Sequence, residues 1–283
     1  MEKTVCVVTG ATSGIGLATT VRLVADGAHV VGVARTSESG NAALRTIRQQ
    51  GSRARVEMVH ADLSVMGDVT TLAERLVGEY QRLDVVVLNA GVVRPDREIT
   101  RDGFETDFAT NVLGPFLLTR LLRDRLVESA PARVVTVTSS GHRGVKTVDL
   151  DALPTGVDFH RMRTYTTTKL LNVLFSNELA RQFAGTGVTA NAADPGFVRT
   201  RLGRDVPGAF GLFLRVTRPF QRSADSAAAT IHFLATDPTV ATVSGGYFGN
   251  CRPVAPSPLA LDQDAARRLW NLCNTLTTQE TTP

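Results

Sequence analysis

The chain has 283 residues, of which 43% are hydrophobic and 20% charged, enough apolar content for a sizeable core and too little charge for a disordered chain. Its net charge of +4 comes from 31 basic and 27 acidic residues that are well mixed, so no block of like charge points to nucleic acid. Apolar runs fall short of the ~20 residues that a membrane span needs, and Cys6, Cys251 and Cys273 form no C-x-x-C pair and have no His at ligand spacing, which argues against a disulfide framework or a zinc site.

The sequence opens M-E-K-T-V-C-V-V-T-G, an acid and a base followed directly by a strand-like run. It shows no signal-peptide architecture, and the expectation is a cytoplasmic protein. Short apolar runs at 4–9, 28–33, 55–60, 83–88, 133–138 and 187–192 read as strands. Between and after them, 15–26, 38–50, 66–79, 103–127, 165–184 and 223–236 carry helical periodicity. Strands apolar on both faces and separated by helices predict parallel pairing, with helices covering both sides. The fold class is therefore α/β, with a doubly wound sheet whose ligands sit at the carboxyl ends of the strands near the switch point. No repeat or long linker divides the chain, so 1–283 reads as a single domain. Two segments depart from the alternation. Residues 141–162 read as a loop after the fifth strand, and in 196–222 arginines interleave with Val206, Phe210, Leu212, Phe213, Leu214 and Phe220. Both leave the carboxyl edge of the sheet, and the second is expected to form a substrate loop or lid over an apolar pocket.

The stretch T-G-A-T-S-G-I-G (9–16) lies between the first strand and the first helix. There Gly10 permits a sharp turn, Gly14 lets backbone approach a pyrophosphate, and Gly16 lets the helix pack close. With Thr12, Ser13 and Ile15 it forms a cradle at a helix N-terminus, where unpaired N–H groups meet phosphate. After the second strand, A-R-T (34–36) supplies Arg35 and no acid. An acid there would accept from a free ribose diol and an Arg would pair with a phosphate, so NADP(H) is favoured over NAD(H).

The stretch R-T-Y-T-T-T-K-L (163–170) places one of three lysines four residues after one of three tyrosines, in a chain that otherwise uses Arg. That spacing is about one helical turn. A phenol ionises near ~10, and a neighbouring ammonium favours its phenolate, so the pair suits proton transfer. In F-A-T-N-V-L-G-P-F, Pro115 has no N–H to offer the Asn111 carbonyl, which predicts a local kink and a free acceptor.

T-G-x-x-x-G-I-G, L-N-A-G at 88–91, a Ser at the end of the fifth strand and Y-x-x-x-K together resemble the short-chain dehydrogenase/reductase family over nearly the whole length. Y-F-G-N-C-R-P (247–253) and A-R-R-L-W-N (266–271) resemble its retinol dehydrogenase-like branch. The resemblance implies a Rossmann-type parallel sheet of about seven strands, a nicotinamide cofactor and a catalytic set of Asn111, Ser140, Tyr165 and Lys169. In that pattern the second Ser of the pair faces the site, Lys169 also holds the nicotinamide ribose, and the Asn111 carbonyl holds a water. Asn89, Ala90 and Gly91 would border the adenosine and brace the central strands. Asp62, in H-A-D-L with Leu63, resembles the position that meets the adenine amino group, although a helix N-cap role for Asp62 or Ser64 fits the sequence too. Pro195, Gly196, Val198 and Thr200 match the segment beside the nicotinamide amide. His142, close to Ser140, reads as a solvated loop residue. The implied activity is interconversion of a carbonyl and an alcohol on an apolar small or medium-sized molecule. A non-redox cyclisation, dehydration or isomerisation is the alternative for the same acid/base pair. Family members commonly form homodimers or homotetramers.

Overall fold

Five strands are buried on both faces almost throughout: β1 (Val5–Thr9), β2 (His29–Ala34), β4 (Val85–Leu88), β5 (Ala132–Val137) and β6 (Val188–Asp194). Successive side chains divide between two cores, as a period of two requires. Val7, Val86 and Val134 enter the core shared with Leu113, Phe116, Leu170 and Leu174, whereas Val8, Val87 and Val135 enter that of Leu23, Ile231 and Phe248. Covering both faces leaves water no access to the ladder, and the strands pair in parallel.

The computed structural model describes residues 4–49, 55–198 and 222–278. Within them the sheet has eight strands in the order β3-β2-β1-β4-β5-β6-β7-β8, with β3 at Val56–His60, β7 at Tyr247–Gly249 and β8 at Arg252–Pro253. The first seven are parallel, and β8 runs antiparallel to β7. This adds one short strand to the seven expected. Asn250 and Cys251 join the last two strands with φ of 53° and 57°, the left-handed pair that a two-residue hairpin turn uses.

Helices α1 (Gly14–Ala25), α2 (Ser37–Gln49) and α3 (Met66–Glu79) match the periodic segments. The long helix expected over 103–127 is divided into α4 (Thr106–Phe108), a π turn (Ala109–Leu113), α5 (Gly114–Leu121) and α6 (Arg123–Glu128). The interruption runs up to Pro115, where a backbone donor is missing, and takes the form of a widened turn. Further on lie α7 (Arg161–Gln182), α8 (Ala224–Thr236) and α9 (Gln263–Thr278), whose Trp270 packs on Phe116 and Phe175. No helix of the described residues is long and apolar enough to cross a membrane.

The chain leaves β1 toward β2 and β3 on one side and resumes at β4 on the other, which opens a crevice at the carboxyl ends of β1 and β4. Two turns meet there closely. A Cβ on Gly16 would lie 2.2 Å from the Gly10 carbonyl oxygen and 2.4 Å from Asn89 Nδ2. Gly16→Ala is therefore expected to cost about 1–3 kcal/mol of stability, measurable as a lower denaturant midpoint at constant slope.

Candidate active site

The crevice is built on β1 and β4. Thr9 Oγ1 accepts from the amides of Asn89 (2.9 Å) and Ala90 (3.0 Å), and Asn89 Nδ2 donates to the Thr9 carbonyl at 2.9 Å. Asn89 thus braces the two central strands. Gly10 and Gly14 have φ of 65° and 53°, and a Cβ on Gly14 would meet nothing within 4 Å. Ser13, the N-cap of α1, is extended and its side chain takes none of the helix N–H groups. This open, donor-rich turn fits a dinucleotide pyrophosphate, which needs backbone approach and free amides.

A cavity of about 1410 Å³ runs along the carboxyl edge. Its wall brings together Gly10, Thr12, Ser13, Gly14, Ile15 and Gly16 with Arg35, Asp62 and Leu63, then Asn89, Ala90 and Gly91, and finally Tyr165, Lys169, Pro195, Gly196 and Val198. Asn111 stands behind this wall, fully buried. Thr200 and the apolar residues Val206, Phe210, Leu212, Phe213, Leu214 and Phe220 lie outside the described residues, as does most of the 196–222 lid segment.

Arg35 is exposed at the end of β2 and makes no hydrogen bond or ion pair with a described residue, so its guanidinium is available to a ligand. Asp62 Oδ1 accepts from the amide (2.9 Å) and hydroxyl (2.8 Å) of Ser64, a local turn. Neither residue caps α3. The amide of Met66 donates to Asp102 Oδ2 at 2.7 Å, from a loop 36 residues away.

Helix α7 places Tyr165 and Lys169 one turn apart, with Lys169 Nζ 5.7 Å from the Tyr165 ring centre. Lys169 is 4% exposed and donates to the Val137 carbonyl at 3.2 Å. Burial pulls its ammonium down to about 8, against the opposing charge of Asp107. Burial likewise pushes the Tyr165 phenol up to about 12. A hydrogen bond with the Ser139 side chain works against that rise, and the charges of Asp107 and Asp194 add to it. In the protein alone burial thus holds the Tyr165 phenol above its ordinary value, the opposite direction from the one that Lys169 was expected to impose.

The two adjacent serines stand differently, although both line the cavity. Ser139, rather than Ser140, is the serine whose side chain acts on the Tyr165 phenol. Ser139 continues extended from β5 (φ −164°, ψ 145°) and caps the 3-10 turn Ser140–Gly144, accepting from the Gly141 amide at 3.2 Å. Ser140 is the first residue inside that turn and is exposed at the cavity mouth. The signal in the sequence was the capping preference of a Ser before a turn, which selects the first of the pair.

Asn111 sits in the π turn, where its Oδ1 accepts from the Val92 amide at 2.8 Å. Its Nδ2 donates to the Val92 carbonyl and to Thr168 Oγ1, both at 3.0 Å. It ties the segment after β4 to α7. Gly91 lies against this junction, where a Cβ would be in ordinary contact, 3.4 Å, with both Asn111 Oδ1 and Lys169 Nζ.

At the far end, the Gly196 amide donates to Asp194 Oδ1 at 2.9 Å and the Tyr247 hydroxyl donates to Asp194 Oδ2 at 3.0 Å. Val198 bridges to Arg222. His142 is fully buried rather than solvated. Its Nε2 accepts from the Ser257 amide at 3.0 Å, so Nδ1 carries the proton and donates to the Ser139 carbonyl at 2.8 Å.

The family model for short chain dehydrogenase matches residues 4–208. Human WW domain-containing oxidoreductase is 38% identical over 279 residues, covering 96% of this chain and 67% of that protein. Human retinol dehydrogenase 13 is 38% identical over 274 residues, covering 95% of this chain and 82% of that protein. A short chain dehydrogenase from Burkholderia cenocepacia, solved in complex with NADP, is 25% identical with a TM-score of 0.69, covering 86% of this chain and 94% of that one. The chain belongs to the short-chain dehydrogenase family, in its retinol dehydrogenase-like branch, and is an oxidoreductase acting on CH–OH and C=O groups with NAD(P).

Proposed function

We propose that the protein is an NADP(H)-dependent oxidoreductase that interconverts a carbonyl and an alcohol on an apolar small or medium-sized molecule, with Tyr165 as general acid/base. The observation that carries this reading is the Tyr165–Ser139 hydroxyl pair, one helical turn from the buried Lys169 and in the same cavity as the glycine turn. Ser139 replaces Ser140 in the catalytic set, which otherwise keeps Asn111, Tyr165 and Lys169. The reading includes a cytoplasmic location and assembly as a homodimer or homotetramer.

The glycine turn and the α1 N-terminus would hold the pyrophosphate, Arg35 the 2′-phosphate, and Lys169 the nicotinamide ribose. A nicotinamide held there would supply or accept the hydride. Ser139 holds the substrate oxygen beside the phenol. Burial keeps Tyr165 protonated at neutral pH, so it is set to donate as the carbonyl becomes an alcohol. In the reverse direction Tyr165 would take the alcohol proton as the phenolate, so its own proton must first be lost to solvent. Asn111 holds the segment behind Gly91 against α7, fixing the wall from which Lys169 emerges.

Retinol, the alcohol in the names of several relatives, serves as a first probe with NADP⁺, followed by nicotinamide absorbance. Tyr165→Phe is expected to lower kcat by about 10²–10⁴-fold with cofactor affinity retained. Ser139→Ala should cost on the order of 10²-fold, and Ser140→Ala should leave turnover essentially unchanged. Product formed without nicotinamide turnover would instead indicate non-redox chemistry. For the cofactor, Arg35→Ala is expected to weaken NADPH binding about 10–100-fold, the worth of one charge-assisted contact, and to leave NADH binding nearly unchanged, as titration calorimetry can read. Equal loss for both nucleotides would contradict the preference for NADP(H).

A further inference from the structure

Glu105 and Asp107 open α4, and neither is exposed. Glu105 caps the helix, accepting from the amides of Asp107 (2.9 Å) and Phe108 (2.8 Å). The chain around Pro154 closes over this end, since the Glu105 amide donates to the Pro154 carbonyl at 2.7 Å and Arg97 donates to the Thr155 carbonyl at 2.9 Å. Asp107 is placed differently. Its Oδ1 accepts from the Arg94 amide at 3.0 Å, and its Oδ2 is buried with no hydrogen-bond partner among the described residues. A half-paired buried carboxylate is costly, and such exceptions call for a reason beyond packing.

Asp107 lies one helical turn before Asn111, and both grip the same segment, Asp107 at Arg94 and Asn111 at Val92. Asn111 also reaches Thr168, whose hydroxyl donates to the Tyr165 carbonyl at 2.8 Å. The charged and titratable groups facing Asp107 are Glu105 on its own helix, Arg94 and Glu98 from the segment after β4, and Tyr165 and Lys169 from α7. We propose that Asp107 is a positioning residue of the reaction, holding Arg94 on α4 beside the Val92–Asn111 junction and presenting a buried charge to Tyr165 and Lys169.

Burial, reinforced by Glu105, pushes the Asp107 carboxyl up to about 7, with the Arg94 amide and guanidinium opposing. Above that pH the carboxylate favours the Lys169 ammonium and disfavours the Tyr165 phenolate. Below it the charge is gone and both effects lapse. Asp107 therefore biases the pair toward ammonium and neutral phenol, the state suited to proton donation, and relaxes that bias as the medium acidifies. The kinetic consequence rests on the reading of Tyr165 given above, while the electrostatic effect on Lys169 does not.

The test exploits a chain with three lysines, at positions 3, 146 and 169. With 13C-lysine label in the full chain, the 13Cε resonance lost in a Lys169→Arg control is assigned to Lys169 and titrated by NMR. Asp107→Asn keeps the acceptor for the Arg94 amide and removes the charge. It is expected to lower the Lys169 midpoint by on the order of half to one pH unit. Asp107→Ser, a smaller neutral variant, should shift it the same way, and the wild-type curve should show a second inflection near neutral pH. Midpoints equal to wild type, or a single-site wild-type curve should neither variant fold, would overturn the proposal. The same variants assayed with retinol and NADP⁺ should shift the apparent pKa of kcat/KM to lower pH. A chain inactive on retinol whose Lys169 midpoint still shifts would count against the functional reading alone.

Discussion

The structure depends on carrying an amine into the interior. Lys169 is 4% exposed, and an ammonium taken out of water costs several kcal/mol unless other groups replace its hydration. Here the replacement comes from the end of a strand, where the Val137 carbonyl accepts from Nζ. The cost is visible as the downward pull on Lys169 to about 8. A lysine kept there against that cost, one turn from a phenol that burial holds protonated, is a poor choice for stability and a suitable one for proton transfer.

The surrounding elements make that placement possible. The π turn at Ala109–Leu113 carries Asn111, whose side chain joins the segment after β4 to α7 at Thr168. Gly91 lies beside both Asn111 and Lys169. On the other side of the phenol, the chain leaves β5 extended for two residues and then turns, which brings the Ser139 hydroxyl to Tyr165. His142 fastens that turn from beneath through the Ser139 carbonyl and the Ser257 amide. The glycine turn sits across the crevice, locked to β4 through Thr9 and Asn89. Strand ends, capped turns and one widened helix thus converge on a single edge of the sheet.

Much of this was legible in the sequence, for physical reasons. The five strands buried on both faces read as continuous β-branched runs, and the edge strand β3 stood out with them although it is only half buried. Gly10, Gly14 and Gly16 stood out because two need left-handed backbone and one touches another chain segment. What escaped depends on contacts distant in sequence or on the choice between adjacent residues. The cap of α3 comes from Asp102, not from its neighbours Asp62 and Ser64. The difference between Ser139 and Ser140 lies in which of them caps the turn after β5, and that is Ser139. Pro115 signalled an interruption, yet not that it would be a π turn. The two-residue strand Arg252–Pro253 is too short to announce itself by periodicity. Asp107 gave no warning, because one acid near a helix start is ordinary and nothing in its neighbours announces that it is buried and accepts from the Arg94 amide.

A crystal structure of the protein with NADP⁺ tests the central claim most directly. The account predicts pyrophosphate density on the turn at Gly14, the 2′-phosphate against Arg35, and the nicotinamide ribose within hydrogen-bond reach of Lys169 Nζ, with the Tyr165 and Ser139 hydroxyls beside the ring. Nucleotide density elsewhere, or a nicotinamide directed away from Tyr165 with Lys169 still turned to Val137 alone, would contradict it.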